Sequence, residues 1–393
     1  MKRTAIFVKV FTLLIIAFTP CSGLSHEAHS MNGGKGFDGV VGLDAVSSGT
    51  MIDLLMVTAT GKNLKLEHIR SSDGGGSFSK AHLIKVPGMK VFRPHRGADP
   101  RLVSRGDELL VVWTSPGTSA WGDGPFQAAR SVDGGKSWKT ATSPVDDHST
   151  LGHGFLALTL DPAGTVHAVW LDSRDGAQGL RYSQSTDLGR TWTKNVTLKS
   201  KTCECCWNAL YANGNVVDVL YREKEPRDMA LQESRDAGKT WIRRSTVGAF
   251  GWDFKGCPHE GGALAWSESG SRLFATVWTG KEGKLGPHLL VSNDSGKSWD
   301  DPKAVASSSA EHVDLKASGK TLTLAWDDRG NEHRVIALSH SADEGKSWSP
   351  PQIVSSKDAT ASHPRFVAVG NGGIVFWTEQ KEGLPVVWKS LKF

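Results

Sequence analysis

Residues 341–348 read Ser-Ala-Asp-Glu-Gly-Lys-Ser-Trp, and this eight-residue motif recurs along the chain in the general form Ser-x-Asp-x-Gly-x-Ser/Thr-aromatic. Six copies occur, at residues 71–78, 131–138, 185–192, 234–241, 292–299 and 341–348, with 49 to 60 residues between successive aspartates. Self-similarity with a fixed period of this size is typical of repeat architectures. The chain is therefore predicted to consist of equivalent structural units.

A second signal runs in phase with the first. Alternating apolar segments lie about 20 residues before the motifs, and there is one more segment than there are motifs; they end at Val57, Trp113, Trp170, Tyr221, Trp278, Trp326 and Trp377. A unit of about 50 residues with four short strands is typical of a propeller blade. The sequence thus predicts an all-β propeller of four-stranded blades, with seven blades favoured and six as the alternative.

The motif aspartates have a structural explanation. Asp and Ser/Thr side chains bond the backbone of tight turns, and Gly permits a positive φ there. We expect this role for Asp73, Asp133, Asp187, Asp236, Asp294 and Asp343.

The N-terminus resembles a secretory signal peptide. Lys2 and Arg3 precede an apolar run over residues 4–18, and the small residues 21–23 suit a cleavage site. We predict a signal peptide over residues 1–23, a short segment over 24–36 that can supply the outer strand of the last blade, and one propeller domain over 37–393. The protein is expected in the periplasm or secreted, with lipid anchoring through Cys21 as the weaker alternative.

The composition limits which classes of binding partner are expected. The formal charge of +5 falls to +2 without the three cations of the predicted signal, and no block of Lys and Arg remains. Nucleic acid is therefore not an expected partner. No second segment is apolar enough for a membrane span.

The six motifs resemble those of the Asp-box (BNR-repeat) superfamily, whose members include the sialidases. That resemblance implies a propeller; sialidase activity would further imply an arginine clamp and a late tyrosine nucleophile. The chain has only Tyr182, Tyr211 and Tyr221, none in its last 172 residues. We therefore expect a sialidase-like protein that is not an active sialidase. The alternative is a sialidase or other glycoside hydrolase, with Asp99 or Asp123 as the carboxylates and Arg101 and Arg365 binding an acidic sugar.

Cysteines and histidines form the strongest candidate site. When the units are aligned on their strand-end aromatic residues, Asp99, Trp207, His312 and His363 fall at one position, at the entry to the innermost strand. Cysteines and other histidines lie just upstream of this position in their own units. We predict that these residues meet at one mouth of the central channel and bind copper or zinc, because thiolate and imidazole suit both metals. The candidate ligands are Cys203, Cys205, Cys206, Cys257, His259, His153, His312 and His363. Structural disulfides are the competing interpretation of the cysteines.

The chain also resembles a group of exported bacterial sialidase-like proteins with Cys-x-Cys-Cys and Cys-Pro-His signatures. Here these are residues 203–206 and 257–259, with Arg222 and Arg227 between them. The two arginines are predicted either to bind an anionic ligand or to form a solvated loop. His26, third in the cleaved chain, could bind Cu(II) with the new N-terminus. A small ligand in place of a metal, and an interaction scaffold with a protein partner, remain the other possibilities.

Overall fold

The computed structural model describes residues 37–370 and 372–393, and every regular element in that part of the chain is a β-strand. The strands form seven antiparallel sheets, each of which is one blade. Blade 1 contains β1 (Gly39–Ser48), β2 (Met51–Thr60), β3 (Asn63–Ser71) and β4 (His82–Leu83). Blade 2 contains β5 (Arg101–Arg105), β6 (Glu108–Pro116), β7 (Asp123–Ser131) and β8 (Lys139–Ala141). Blade 3 contains β9 (His153–Leu160), β10 (Val166–Asp172), β11 (Gly179–Ser185) and β12 (Val196–Lys199).

Three further blades repeat the four-stranded pattern and the last departs from it. Blade 4 contains β13 (Ala209–Asn213), β14 (Val216–Arg222), β15 (Met229–Ser234) and β16 (Ile242–Val247). Blade 5 contains β17 (Gly262–Trp266), β18 (Leu273–Thr279), β19 (Gly286–Ser292) and β20 (Lys303–Ala304). Blade 6 contains β21 (Ala310–Ser318), β22 (Thr321–Asp328), β23 (Val335–Ser341) and β24 (Gln352–Ile353). Blade 7 contains β25 (Thr360–Val369), β26 (Gly372–Gln380) and β27 (Val387–Lys392).

The blades form a closed ring around a channel. The first strand of each blade contacts the first strand of the next, and β25 of blade 7 contacts β1 of blade 1. The prediction of an all-β propeller with seven blades is confirmed, and the six-bladed alternative is wrong. We call the end of the channel where the innermost strands begin the channel mouth.

Ring closure joins the described ends of blades 7 and 1. Blade 7 has three strands among the described residues instead of four. It meets blade 1 through a parallel bridge between Gly39 and Val386, in which the Val40 amide donates to the Val386 carbonyl at 2.8 Å. The segment 24–36, which was predicted to supply an outer strand, lies outside the described residues, as do the predicted signal peptide, Cys21 and His26. No helix in the described part of the chain is long and apolar enough to span a membrane.

The hydrophobic core lies between the blades. Each pair of neighbouring blades shares one cluster of buried side chains; the cluster of blades 5 and 6, for example, joins Phe274 to Leu324 and Trp326. The strand-end residues Trp113, Trp170 and Trp326 are almost fully buried. Because every cluster takes side chains from two blades, no blade has a complete core of its own.

The motif turns have one geometry in all six copies. In the last, the Asp343 carboxylate accepts hydrogen bonds from Ser341 Oγ at 2.8 Å, the Ser347 amide at 2.9 Å and Ser347 Oγ at 2.6 Å. Gly345 follows with a φ of 86° and donates its amide to Ser341 Oγ. These bonds account for the constant spacing within the motif by local structure.

Candidate functional site

Histidines at the channel mouth have an unusual backbone. Outside the motif turns, the described non-glycine residues with positive φ are His148, Phe155, His259, His312 and His363. His312 and His363 each lie in an irregularity of an innermost strand, where the pairing register with the second strand shifts. A β-bulge re-aims side chains, and left-handed backbone in a non-glycine residue is energetically unfavourable. The fold thus turns these two side chains toward each other at the mouth.

The two imidazoles form a stacked pair. The ring centroids of His312 and His363 are 3.7 Å apart with an interplanar angle of 25°, and the Trp207 indole packs against both, at 5.2 and 6.0 Å. Gly261 leaves room for the indole, because a Cβ there would lie 2.2 Å from Trp207 Nε1. The structure therefore brings together three of the residues that the alignment of units placed at one position.

Carboxylates surround the pair. His312 Nδ1 lies 2.8 Å from Asp327 Oδ2, and its Nε2 lies 3.5 Å from Glu260 Oε1. Burial opposes protonation of His312, but the charges of Asp327 and Glu260 outweigh it and raise its pKa. Burial lowers the pKa of His363, and the neighbouring His312 and arginines lower it further. Protonation is therefore favoured at His312 and disfavoured at His363.

Four thiols form a second cluster at the mouth. The sulfur of Cys203 lies 3.2 Å from that of Cys206 and 3.8 Å from that of Cys205, and all three residues are buried. The more exposed Cys257 interacts with Cys205. Cys203, Cys205 and Cys206 precede β13 of blade 4, and Cys257 precedes β17 of blade 5. All four cysteines are free thiols in this structure.

Arginines hold the thiol cluster instead of facing an open cleft. Arg227 Nη1 donates to Cys203 Sγ at 2.9 Å. Arg222 donates to the carbonyls of Glu260, Arg227 and Trp278, and its guanidinium lies over the Trp252 ring. Donors of both arginines are thus bonded to the protein itself, and binding of an anionic ligand by Arg222 and Arg227 stays a prediction. The alternative of a solvated loop is wrong, since both arginines are buried.

A buried ionic network adjoins the histidine pair, because Arg96 donates to the His363 carbonyl at 2.7 Å. Asp99 pairs with Arg96 at 2.6 Å and approaches Arg365 at 3.9 Å, while Arg101 pairs with Asp44 at 3.1 Å. Burial opposes ionisation of Asp99, but the three arginines near it hold its pKa below the usual range. Burial and the neighbouring Arg101 lower the pKa of Arg365 to about 10. Asp99 is thus an ionised, fully paired carboxylate.

The other candidate residues have contacts of their own. His153 is buried against Asp147 and Asp172, with Nε2 3.3 Å from Asp147 Oδ1, and forms a separate group of potential ligands. Asp123 accepts a hydrogen bond from Ser119. His259 lies near His95, with ring centroids 6.3 Å apart. The single mixed Cys/His site predicted from the sequence is accordingly divided, because the described groups with ligand atoms within 4.8 Å of one another contain either the cysteines or the histidines, never both.

The tyrosines occupy core or strand positions. Tyr182 Oη lies 2.7 Å from His167 Nδ1, and Tyr221 Oη donates to Glu223 Oε1 at 3.0 Å. Burial raises the pKa of both phenols. Tyr211, on an innermost strand, packs against Trp266.

Two residues of the candidate site were not predicted from the sequence. Asp327 follows the strand-end residue Trp326, and Glu260 follows the Cys-Pro-His triplet. The first could have been found, because the end of a second strand lies beside the start of an innermost strand; Ala310 pairs with Asp328 in this way. Nothing in the sequence pattern marked Glu260 as a site residue apart from its position next to the Cys-Pro-His triplet.

No protein-family model matches the chain, and no curated protein sequence matches it. Solved structures do share its fold. The polysaccharide lyase Uly1 is similar with a TM-score of 0.57 at 9% identity, covering 90% of this chain and 89% of that one. A protein of unknown function from Dyadobacter fermentans is similar with a TM-score of 0.53 at 14% identity, covering 91% of this chain and 97% of that one. A mutant Trypanosoma rangeli sialidase displaying trans-sialidase activity is similar with a TM-score of 0.50 at 12% identity, covering 77% of this chain and 54% of that one.

These likenesses define the class of fold. The chain has the propeller fold of sialidases and other propeller enzymes, as its resemblance to the sialidase superfamily implied. At such identities the comparison shows the fold alone.

Proposed function

We propose that this protein is an exported sialidase-like propeller that binds a soft or borderline metal ion, copper(I) or zinc, through the thiol cluster at its channel mouth. The observation that supports this most directly is the group Cys203, Cys205 and Cys206, whose sulfurs lie within 4.8 Å of one another in a buried site. Thiolates are the preferred ligands of copper(I) and are common ligands of zinc. Cys257 adds a fourth thiol through its interaction with Cys205.

The electrostatics favour one thiolate in the cluster, because hydrogen bonding with Cys203 raises the pKa of Cys205 and burial raises the pKa of Cys206. The thiols of Cys205 and Cys206 lower the pKa of Cys203 by hydrogen bonding to its thiolate, and Arg222 acts in the same direction. Arg227 donates directly to the same sulfur. Metal binding requires deprotonated thiols, so these contacts prepare the ligand that the metal needs.

The loop that carries the thiols is fixed in place. The Cys203 amide donates to the Arg222 carbonyl at 3.0 Å, and the Thr202 amide donates to the Gln178 carbonyl at 2.8 Å. Because these bonds tie the loop to blades 3 and 4, the sulfurs are held near one another before a metal arrives. A site ordered in this way loses less conformational entropy on binding.

A hydrolase is less well supported. The side chain of Asp99 has no exposed surface and is paired with Arg96, and Asp123 is bonded to Ser119. A glycosidase needs two carboxylates about 5–10 Å apart that reach the substrate. Neither of these carboxylates is free in an open cleft.

The test is metal content and thiol titre of the purified protein, handled without oxygen and loaded with copper(I) or zinc. We expect about one metal ion per chain in the wild type, lost in C205S because Cys205 interacts with every other thiol of the cluster. The control H82A changes a histidine on the outer strand β4 and should keep the metal. C257S should weaken zinc binding more than copper(I) binding, because zinc takes four ligands whereas copper(I) accepts three.

Reduced wild-type protein that binds neither metal would overturn the proposal. So would protein that resists reduction and shows no free thiols, because the cysteines would then be structural disulfides. Equal metal content in wild type and C205S would also exclude the thiol cluster as the binding site.

A further inference from the structure

The thiol cluster has one exposed member and three buried ones. Cys257 is exposed to solvent, whereas Cys203, Cys205 and Cys206 are each no more than 6% exposed. We propose that the cluster has a further activity, thiol–disulfide exchange, in which Cys257 reacts with a small-molecule disulfide and the buried thiols take up the oxidation. This activity uses the sulfurs themselves and does not depend on their binding a metal ion.

The position of Cys257 suits the first step. Exchange begins when a thiolate attacks a disulfide sulfur, so the attacking sulfur must be accessible to the incoming molecule. Cys257 lies in the connection between β16 of blade 4 and β17 of blade 5, and its side chain also interacts with that of the buried Cys205. The exposed thiol is therefore in contact both with solvent and with the interior of the cluster.

The buried sulfurs continue the path from Cys205. Cys203 Sγ lies 3.8 Å from Cys205 Sγ and 3.2 Å from Cys206 Sγ. Because a disulfide bond is about 2.05 Å long, the sulfurs of Cys203 and Cys206 need to approach by only about 1.2 Å to form one. We therefore expect the oxidation to end on this pair, in a sequence of exchanges that we call the thiol relay.

The thiol relay balances as four successive exchanges with a disulfide R–S–S–R. The Cys257 thiolate attacks it and releases one RS⁻, and the Cys205 thiolate displaces the second RS⁻ and forms a disulfide with Cys257. Cys203 then attacks Cys205 and frees Cys257, and Cys206 attacks Cys203 and frees Cys205. Each attacking thiol gives up its proton and each displaced thiolate takes one up. In total, two protein thiols lose two electrons and two protons, and the small disulfide is reduced to two RSH.

Arg227 joins the exposed and buried parts of the cluster. Its Nη1 donates to Cys203 Sγ at 2.9 Å, its Nε to the Phe254 carbonyl at 3.1 Å, and its amide to the Trp252 carbonyl at 2.7 Å. Trp252 and Phe254 lie in the segment that leads to Cys257. Arg227 is thus a positioning residue, because it fixes this segment beside the buried thiols.

The test uses reduced, metal-free wild-type protein and one equivalent of the aromatic disulfide 5,5′-dithiobis(2-nitrobenzoate), at about pH 8, where an ordinary thiol is partly ionised. We expect two thionitrobenzoate ions to be released per chain, because the relay frees both halves of the disulfide. Glutathione disulfide should give the same oxidised protein without a lasting adduct.

Mass spectrometry then locates the disulfide. Trypsin separates the two parts of the cluster, since residues 202–222 and 256–272 contain Lys or Arg only at their ends. After free thiols are alkylated, the first peptide should contain a disulfide between Cys203 and Cys206 and one alkyl group, and the second should be alkylated at Cys257.

Four variants separate the steps. C257S should slow the first release about tenfold or more, because only buried thiols remain. C205S should release one thionitrobenzoate ion and keep a mixed disulfide on Cys257, because the path to the interior is interrupted. R227K should leave the first release unchanged and slow the second, and H82A is the control that should change neither. Circular dichroism of each variant checks that the propeller is folded.

Several results would overturn the relay. They are equal rates of first release in wild type and C257S, a lasting adduct on wild-type Cys257, or a final wild-type disulfide that contains Cys257. None of these results bears on metal binding, and wild-type protein that completes the relay but binds no metal would contradict only the metal-binding function. Cysteines that resist reduction would contradict both.

Discussion

The motif aspartates stabilise their turns through ionised carboxylates, and this gives a pH-dependent prediction. Asp294 accepts hydrogen bonds from the amide and hydroxyl of Ser298 and from Ser292 Oγ, which lower its pKa to about 2. A carboxyl whose folded-state pKa is depressed stabilises the fold above its unfolded pKa of about 3.9, and that stability is lost as the pH falls toward the folded value. We expect D294A to lower the Tm by a few degrees at pH 7.

The difference in Tm between wild type and D294A should shrink between about pH 4 and pH 2, as measured by thermal melts followed by circular dichroism. D301A, which removes an exposed aspartate of blade 5, is the control and should match the wild type. A difference that stays constant throughout this pH range would show that ionisation of Asp294 does not contribute.

Residue identity alone predicted part of the candidate site. The position shared by Trp207, His312 and His363 could be found because equivalent residues of repeated units lie at equivalent places around a ring. The division into separate thiol and imidazole clusters could not, because it depends on the left-handed backbone of His312 and His363. Such bulges have no sequence signature when the residue is not glycine.

Among the elements, the closure of blade 7 onto blade 1 gives the second prediction. Gly39 has a φ of 98°, and a Cβ there would lie 2.1 Å from the Val386 carbonyl oxygen, so alanine would force the two chain ends apart. Gly49 also has a positive φ, but a Cβ at this position would meet no atom within 4 Å. We expect G39A to lower the free energy of unfolding by about 3 kcal/mol or more and G49A by about 1 kcal/mol.

Urea unfolding of both variants measures this difference. Because G49A shares the backbone strain but not the clash, it isolates the contribution of the closing contact. Equal losses in the two variants would mean that the bridge between Gly39 and Val386 does not stabilise the ring.

The blades themselves were predictable from the sequence to different extents. Inner strands carry long apolar alternation, so their number and order followed directly. Outer strands such as β20 and β24 have two residues each and are exposed, which leaves little hydrophobic pattern to detect. The missing motif in the last unit correctly marked it as different, but the number of its strands depends on pairing across the ring.

For the whole molecule, metal binding at the thiol cluster should be only partly coupled to folding. A metal that binds only the folded state stabilises it by about 2.7 kcal/mol at 100 times its Kd. Three of the four thiols lie within residues 203–206, so the unfolded chain keeps much of their affinity. Cys257 precedes the first strand of blade 5 and joins the other thiols only in the folded chain.

Zinc at 100 times its Kd should therefore raise the Tm of the wild type by less than the roughly 4 °C expected for a site that exists only in the folded state, and a chelator should reverse the shift. C257S, which keeps only the thiols of residues 203–206, should show a smaller shift at matched saturation, and C205S should show none. Differential scanning calorimetry tests this. A shift of about 4 °C or more in the wild type would mean that the thiols do not bind metal in the unfolded chain, and that folding of the ring is fully coupled to the thiol cluster.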